Sequence, residues 1–443
     1  MTREEKAQAL PDGRLEQRFH QKNEPFSHGE AFAEASRCLY CFDAPCMHAC
    51  PTHIDIATFI KKISSDNLRG SAKTILTANL LGASCAKVCP VEVLCEGSCV
   101  FIAWGRKPIA IGRLQRHAME HGASVDLLAK KPSSGKSVGL VGAGPASLAC
   151  AGTLVLLGHR AVIYEKSALA GGLNTSGVAP YKMDAVHGLE EVEFVRALGV
   201  EIQTGIEVGR DVSAEQLLAR HDAVFLGPGL GPDSRLEAKN VAGPGVFGAV
   251  EWIARMKLDP KLHLQDVTRA AVIGGGNTAL DAARELKGLG VADVKLIYRR
   301  DEASMSGYVH EWNEAKQEGV VLVPNALVTE VVRVETRLTA LDLVRAHDGR
   351  ATSERLPALP VDLVLVATGQ AQLRSLVALF PDVQVDESGR IRAESSTGRT
   401  GNPRIFTGGD ALNGGKEVVN AAAEGQDAAR AIDALLLDPR QGP

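Results

Sequence analysis

The chain has 443 residues, 45% of them hydrophobic and 23% charged, with a formal net charge of -4. That length accommodates roughly three domains, each able to bury a core, and the slightly acidic balance leaves no footprint for nucleic acid or an anionic membrane. Aromatic residues make up 4% while glycines number 45, a balance that suits close turns around cofactors more than a stacking platform for bases.

In chain order, the opening stretch MTREEKAQAL is charged and polar, unlike a secretory signal peptide, and no apolar run reaches the ~20 residues of a membrane span. The expectation is a soluble cytoplasmic protein. Ser27-His28-Gly29-Glu30 has the capping-box pattern and predicts a helix through AFAEASR into Cys38. Eight of the nine cysteines follow in two sets, Cys38-x2-Cys41-x4-Cys46-x3-Cys50-Pro51 and Cys85-x3-Cys89-Pro90-x5-Cys95-x3-Cys99. With no sign of secretion, metal chemistry is a better reading than disulfides.

Close cysteine spacing lets one loop wrap a cubane corner by corner, and in ferredoxin-type runs the last cysteine before proline ligates the other cluster. The two sets therefore predict two [4Fe–4S] clusters with ligands exchanged between runs. Zinc competes, because Cys-x2-Cys also opens zinc ribbons, and would make this segment a zinc-binding interaction module. The x4 and x3 spacings and the Cys-Pro pairs count against it. Eight cysteines for eight sites would make Cys85 a ligand. IDIATFIKKISSDN and GSAKTILTANL read as helices that separate the sets, and 111–120 as another, carrying Gln115. His48 and His53 read as hydrogen-bonded groups beside the cysteines and not as ligands. Residues 123–136, ending in KKPSSGK, have linker composition.

Beyond the linker, an apolar run reaches Gly142-Ala143-Gly144-Pro145-Ala146-Ser147, a helical stretch follows, and a second apolar run ends on Glu165. That is the spacing of a dinucleotide-binding unit. Gly142 permits the tight turn, Gly144 lets the backbone approach a pyrophosphate, and the helix from Pro145 aims free N–H groups at it. Glu165 would accept hydrogen bonds from a ribose. Cys150, alone in that helix, reads as a small core residue. A second turn, Gly274-Gly275-Gly276-Asn277-Thr278, also follows an apolar strand and opens a helix, but the next strand (294–298) ends on Arg299-Arg300. Asp222-Ala-Val-Phe-Leu-Gly-Pro-Gly229 matches Asp362-Leu-Val-Leu-Val-Ala-Thr-Gly369, so the chain repeats one nucleotide-binding design. Gly408-Gly409-Asp410 then ends a strand-like segment and a helix begins near Glu417.

The order Gly142-x-Gly144, Gly274-x-Gly276, Ala367-Thr368-Gly369, Gly408-Gly409-Asp410 resembles pyridine nucleotide–flavin disulfide-type reductases. It resembles in particular the branch with an N-terminal helical domain holding two [4Fe–4S] clusters, to which the glutamate synthase small subunit and the N-terminal half of dihydropyrimidine dehydrogenase belong. The fold implied is multidomain: an all-α iron–sulfur domain (1–130), then two α/β Rossmann-like domains. An FAD domain in two segments (136–250 and 366–443) would carry the NAD(P) domain (251–365) as an insertion.

By resemblance, FAD contacts are Gly142, Gly144, Pro145, Ala146, Glu165, Gly172, Leu173, Lys182, Gly409 and Asp410. NAD(P) contacts are Gly275, Gly276, Asn277, Thr278, Arg299, Arg300 and Ala367-Thr368-Gly369, although the last three also read as a plain strand exit turn. Asp43-Ala44-Pro45-Cys46, Cys85-Ala-Lys-Val-Cys89-Pro and Ile111-Gly112-Arg113-Leu114-Gln115 resemble dihydropyrimidine dehydrogenase. That analogy assigns Cys38, Cys41, Cys46 and Cys99 to one cluster and Cys50, Cys89, Cys95 and Gln115 to the other, leaving Cys85 a bystander. An arginine after the second strand serves a 2′-phosphate, but Asp301 and Glu302 beside it would oppose that charge, so the reading leans to NADH without excluding NADPH. The function implied is the electron-input subunit of an NAD-dependent dihydropyrimidine dehydrogenase working with a separate FMN-containing subunit. The small subunit of glutamate synthase is the alternative.

Overall fold

Short apolar runs bounded by glycines become parallel strands, and the computed structural model, which describes residues 10–438, arranges them in two five-stranded sheets. Residues 1–9, from which most of the signal-peptide reading came, lie outside the described residues. The strands are β1 (Ser137–Val141), β2 (Arg160–Glu165), β3 (Glu201–Thr204), β4 (Ala223–Leu226), β5 (Val246–Gly248), β6 (Arg269–Ile273), β7 (Asp293–Tyr298), β8 (Val320–Pro324), β9 (Ala326–Val334), β10 (Arg337–His347), β11 (Arg350–Pro360), β12 (Leu363–Val366) and β13 (Ile405–Thr407).

The first sheet runs β13-β4-β1-β2-β3 and the second β5-β12-β6-β7-β8, every pairing parallel. Parallel sheets covered on both faces need strands that are apolar throughout, and all four residues of β4 and of β12 are buried. A third sheet, β11-β10-β9, is antiparallel. Strand β5 lies before the boundary expected at residue 251 yet pairs with β12, so the second sheet begins at Val246: three extended residues suffice for an edge strand.

After β4 the chain crosses towards the second sheet, and it crosses back beside itself: Gly231 N–H donates to Ala371 O at 2.7 Å, and Ser234 N–H to Gly369 O at 2.9 Å. Helices Pro145–Leu156 and Val418–Leu436 pack one core against the first sheet, into which Leu81 of the N-terminal region also reaches. The second core, around Trp252, Met256 and Leu286, takes in Leu15.

The N-terminal region is helical. Ser27 and Glu30 form the capping box: Glu30 N–H donates to Ser27 Oγ at 3.4 Å, and Ser27 N–H to Glu30 Oε2 at 2.8 Å. Helices Ile56–Ile63, Leu68–Ala78 and Ile111–Gly122 surround a core of Phe59, Ile60, Ile75, Leu76 and Leu114, with the cysteines at its margin. Among the described residues no helix is long and apolar enough to cross a membrane.

Candidate functional site: two nucleotide crevices beside two cysteine-lined cavities

Pairing β1 between β2 and β4 delivers the first glycine turn to the carboxyl ends of the strands, where open α/β sheets bind ligands. Gly142 has φ +87°, and a Cβ there would stand 2.6 Å from Gly227 O, so only glycine fits. Around Gly144 nothing lies within 4 Å of the corresponding point. Gly144 caps helix Pro145–Leu156 without a side-chain bond, leaving the first N–H groups available to an anion. Glu165 is buried and holds the turn: Oε2 accepts from Ala143 N–H and Oε1 from Ser167 N–H, both at 2.7 Å.

Gly172 (φ +56°) brings the segment leading to Leu173 against Gly144, and Gly409 (φ +70°) stands against Ala146. The structure thus brings Gly142, Gly144, Pro145, Ala146, Glu165, Gly172, Leu173, Gly409 and Asp410 to one crevice. Burial raises the Asp410 carboxyl above its ordinary range. Glu424, which sequence reasoning passed over, accepts Gly409 N–H at 2.6 Å and the Asn413 amide at 3.0 Å, fixing the Gly-Gly-Asp turn from the following helix. Lys182 is placed differently. Its ammonium lies 2.8 Å from Asp281 and 3.1 Å from Glu311, on helices that follow the second glycine turn. Burial opposes that charge, but the two carboxylates hold it above the ordinary lysine range.

At the second turn a Cβ on Gly274 would meet Ala367 O at 2.4 Å, so the Ala367-Thr368-Gly369 exit of β12 lies alongside. Gly275 and Gly276 lead into helix Asn277–Gly288, whose N-terminus has no side-chain cap. Asn277 Oδ1 accepts Tyr308 N–H at 2.9 Å, and Tyr308 OH donates to Glu417 Oε1 at 2.7 Å. Glu417 caps the helix beside the first crevice, so Tyr308, also missed from the sequence, ties the two pockets together. Arg299 and Arg300 are exposed at the end of β7. Of the acids expected to oppose their charge, Glu302 accepts from Trp312 Nε1 at 2.7 Å and Lys316 Nζ at 2.9 Å, while Asp301, which accepts Ser304 N–H at 2.9 Å, keeps its charge beside Arg300.

The cysteines fall into two cavities. One is lined by Cys38, Cys41, Cys46 and Cys99, the other by Cys50, Cys85, Cys89, Cys95 and Gln115. Cys50 crosses from its own run to the second cavity and Cys99 to the first, and the second cavity also touches Val419 of the last helix. Cys85 Sγ accepts from Asn79 Nδ2 at 3.2 Å, while Gln115 Nε2 donates to Gly82 O at 2.7 Å. Burial, with Cys38 and Cys99 adjacent, pushes the Cys46 thiol up to about 12; burial and Glu96 raise Cys95 as well. Crowded thiols that resist ionisation are poised for a cation that displaces their protons. The sulfurs stand round cavities: among the described residues, no group of three or more His, Cys, Asp or Glu side chains is placed to hold a single ion. His48 is paired with Asp43 at 2.6 Å and Cys150 is fully buried.

Two family models match, dihydropyrimidine dehydrogenase domain II with its 4Fe-4S cluster over residues 15–126 and pyridine nucleotide-disulphide oxidoreductase over 136–425. The Escherichia coli glutamate synthase [NADPH] small chain is 34% identical over 439 residues, covering 92% of each chain. The Escherichia coli NAD-dependent dihydropyrimidine dehydrogenase subunit PreT is 34% identical over 410 residues, covering 92% of this chain and 94% of its own. The Mycobacterium tuberculosis FprA structure in complex with NADPH superposes with a TM-score of 0.56 at 20% identity, over 70% of this chain and 86% of that one, a likeness of fold. Of the nine cysteines only Cys150 falls within the oxidoreductase match, so no dithiol pair accompanies these nucleotide crevices.

Proposed function

From the premise that the chain belongs to the pyridine nucleotide-disulphide oxidoreductase family, with a dihydropyrimidine dehydrogenase-type iron–sulfur domain in front, we propose that it is the electron-input subunit of a dihydropyrimidine dehydrogenase. It would oxidise NAD(P)H and hand electrons to a separate FMN-containing subunit that reduces uracil or thymine. The observation that carries this reading is Gln115, a buried amide that shares the second cavity with Cys50, Cys85, Cys89 and Cys95, where the resemblance to that enzyme implied a glutamine.

When bound, FAD accepts a hydride as an electron pair and iron–sulfur clusters carry single electrons. The residues fit such groups: a turn that only glycine can make, an open helix N-terminus and a buried acid for FAD, and four sulfurs around one cavity for a cubane. In this reading the NAD(P) domain spans 246–366, inserted into the FAD domain. Gly275, Gly276, Asn277 and Thr278 hold the coenzyme pyrophosphate, Ala367-Thr368-Gly369 borders it, and Asn277 and Tyr308 fix its edge against Glu417. The coenzyme in this reading is NAD(P)H: Glu302 is engaged by Trp312 and Lys316, while Asp301 stays within electrostatic reach of Arg300 and weighs toward NADH. Cys38, Cys41, Cys46 and Cys99 hold one [4Fe–4S] cluster, and Cys50, Cys89, Cys95 and Gln115 the other. The second cavity adjoins the flavin domain through Val419.

The second reading, a glutamate synthase small subunit, rests on the equal identity of that relative. Anaerobically reconstituted chain should reduce an artificial dye with NAD(P)H but form no dihydrouracil alone. Adding the FMN-containing subunit from the same source should produce dihydrouracil. Glutamate formation with a glutamate synthase large chain, and none of dihydrouracil with the FMN subunit, would overturn the first reading for the second.

A further inference from the structure

We infer that the face around the first cysteine cavity is the docking surface for the electron-accepting subunit, which meets it with an acidic rim around an apolar centre; this rests on the electron-input reading. Leu39 (48% exposed) and Phe42 (105%) flank Cys41, while Ile102 (49%) and Trp104 (59%) follow Cys99. Leu39 and Phe101 line the cavity itself, and the Phe101 ring is 5.7 Å from that of Trp104. All four thiols here are partly exposed, whereas in the other cavity Cys89 and Cys95 are partly exposed and Cys50 and Cys85 are buried. The first cavity is therefore the one with more of its thiols near the surface, beside large apolar side chains that a folded monomer gains nothing by exposing together.

The charge around this face selects the occupant. Arg37, Lys61, Arg106 and Lys107 are exposed on the same segments, in a chain whose net charge is -4. The Arg37 guanidinium lies 5.7 Å over the Phe101 ring and donates to Lys107 O at 2.8 Å, and the Lys61 ammonium lies 4.7 Å over Tyr40. Arg37 is balanced by Glu34 at 2.7 Å, and Lys61, Arg106 and Lys107 outnumber the two other acids of these segments, Asp43, which is hydrogen-bonded to His48, and Asp55, which caps a helix. A second copy of this chain on the same face would set basic rim against basic rim, so self-association there is disfavoured. An acidic-rimmed protein gains steering from the charges and affinity from the apolar centre. Each NAD(P)H oxidised releases two electrons and a proton, and the partner, carrying a one-electron acceptor of the flavin or iron–sulfur class, takes the two electrons singly.

The test is photo-crosslinking of the full chain in its own cells, with p-benzoylphenylalanine at position 42 or 104 and, as control, at Val334, 65% exposed on β9. Positions 42 and 104 should capture a flavin- or iron–sulfur-carrying subunit that position 334 misses. Whether that subunit reduces pyrimidines or makes glutamate tests the functional reading separately. With the captured partner, Phe42→Ser plus Trp104→Ser should weaken association at least tenfold, and so should Lys61→Glu plus Arg106→Glu plus Lys107→Glu. Dye reduction by NAD(P)H should be unchanged in both. Capture at 334 instead, capture of a second copy or of a protein without a redox group, capture of nothing, or unaltered affinity in the variants would each overturn the inference.

Discussion

Replacing Gly142 with alanine tests the first crevice most directly. The residue sits at φ +87°, where an L side chain costs about 1–2 kcal/mol. The added Cβ would also lie 2.6 Å from Gly227 O and 3.0 Å from Pro228 Cα, both backbone, so the end of β4 must move. Such a shift costs about 1–2 kcal/mol more. Since the same backbone forms the crevice, FAD must restore whatever the free protein relaxes, so a total of about 2–4 kcal/mol sets the ceiling on weaker FAD binding at roughly 30- to 1000-fold. Gly144→Ala is the contrast: φ is -76° and the Cβ meets nothing within 4 Å, so the protein without flavin should melt as wild type does. Its methyl would nonetheless stand where the pyrophosphate approaches, so FAD affinity should fall there too. Flavin fluorescence after ultrafiltration and thermal melts of flavin-free protein read both quantities. Wild-type FAD affinity in either variant, or a destabilised Gly144→Ala, would refute the placement of FAD.

Gln115→Ala should lose about four irons, or shift the potential of one cluster, while Cys85→Ala keeps the wild-type iron content; the reverse pattern in iron and sulfide assays would make Cys85 the ligand. Arg299→Ala plus Arg300→Ala should cut kcat/KM for NADPH about tenfold or more and change that for NADH by no more than about threefold, as expected when a charge-assisted phosphate contact is removed; equal losses for both coenzymes would remove the arginines from the 2′-phosphate site. Glu191 joins helix Ala185–Ala197, beside the first sheet, to the cysteine domain by accepting Ser84 N–H at 3.0 Å, and burial pushes its carboxyl up to about 7. Its stabilising contribution is complete below the unfolded value of 4.5 and is lost as pH rises through about 7. Glu191→Gln should therefore melt higher than wild type at pH 8, by up to about 3 kcal/mol of stability, with a smaller gap at pH 6. A gap that does not widen with pH would refute this.

Where one local rule decided an outcome, the sequence carried it. The capping box at Ser27 starts its helix, and both glycine turns sit between a strand and a helix N-terminus because steric exclusion at Gly142 and Gly274 tolerates nothing else. The cysteine runs announced two groups with members exchanged between them, and Cys50 and Cys99 do cross, but spacing alone left Cys85 and Gln115 undecided. Both line the second cavity. The antiparallel sheet went unread although Asp348-Gly349 is a strong hairpin signal between β10 and β11. There Asp348 has φ +49° and the exposed strand β11 lacks clean alternation. Tyr308, Glu417 and Glu424 were missed because each acts through a partner remote in sequence, a relation that periodicity cannot express.

That remoteness also governs how the domains are held. Glu16 accepts Ala185 N–H at 2.7 Å and lies 3.8 Å from the fully buried Lys257, whose ammonium donates to Val178 O and Met183 O at 2.9 Å each. Lys182 reaches Asp281 and Glu311, and Tyr308 reaches Glu417, all between elements of different sheets or of the N-terminal segment. Apolar residues of similar volume would serve stability at least as well as these buried charges. What directional bonds add is register: a sliding apolar joint tolerates displacements that Lys257, held by two carbonyls, does not. Hydride transfer needs reacting atoms about 3–3.5 Å apart, so a junction that fixes the second glycine turn against the first would serve the proposed chemistry before it serves the fold. The N-terminal segment carrying Leu15 and Glu16 is then part of that junction, because it joins the core of the second sheet to the helix beside the first.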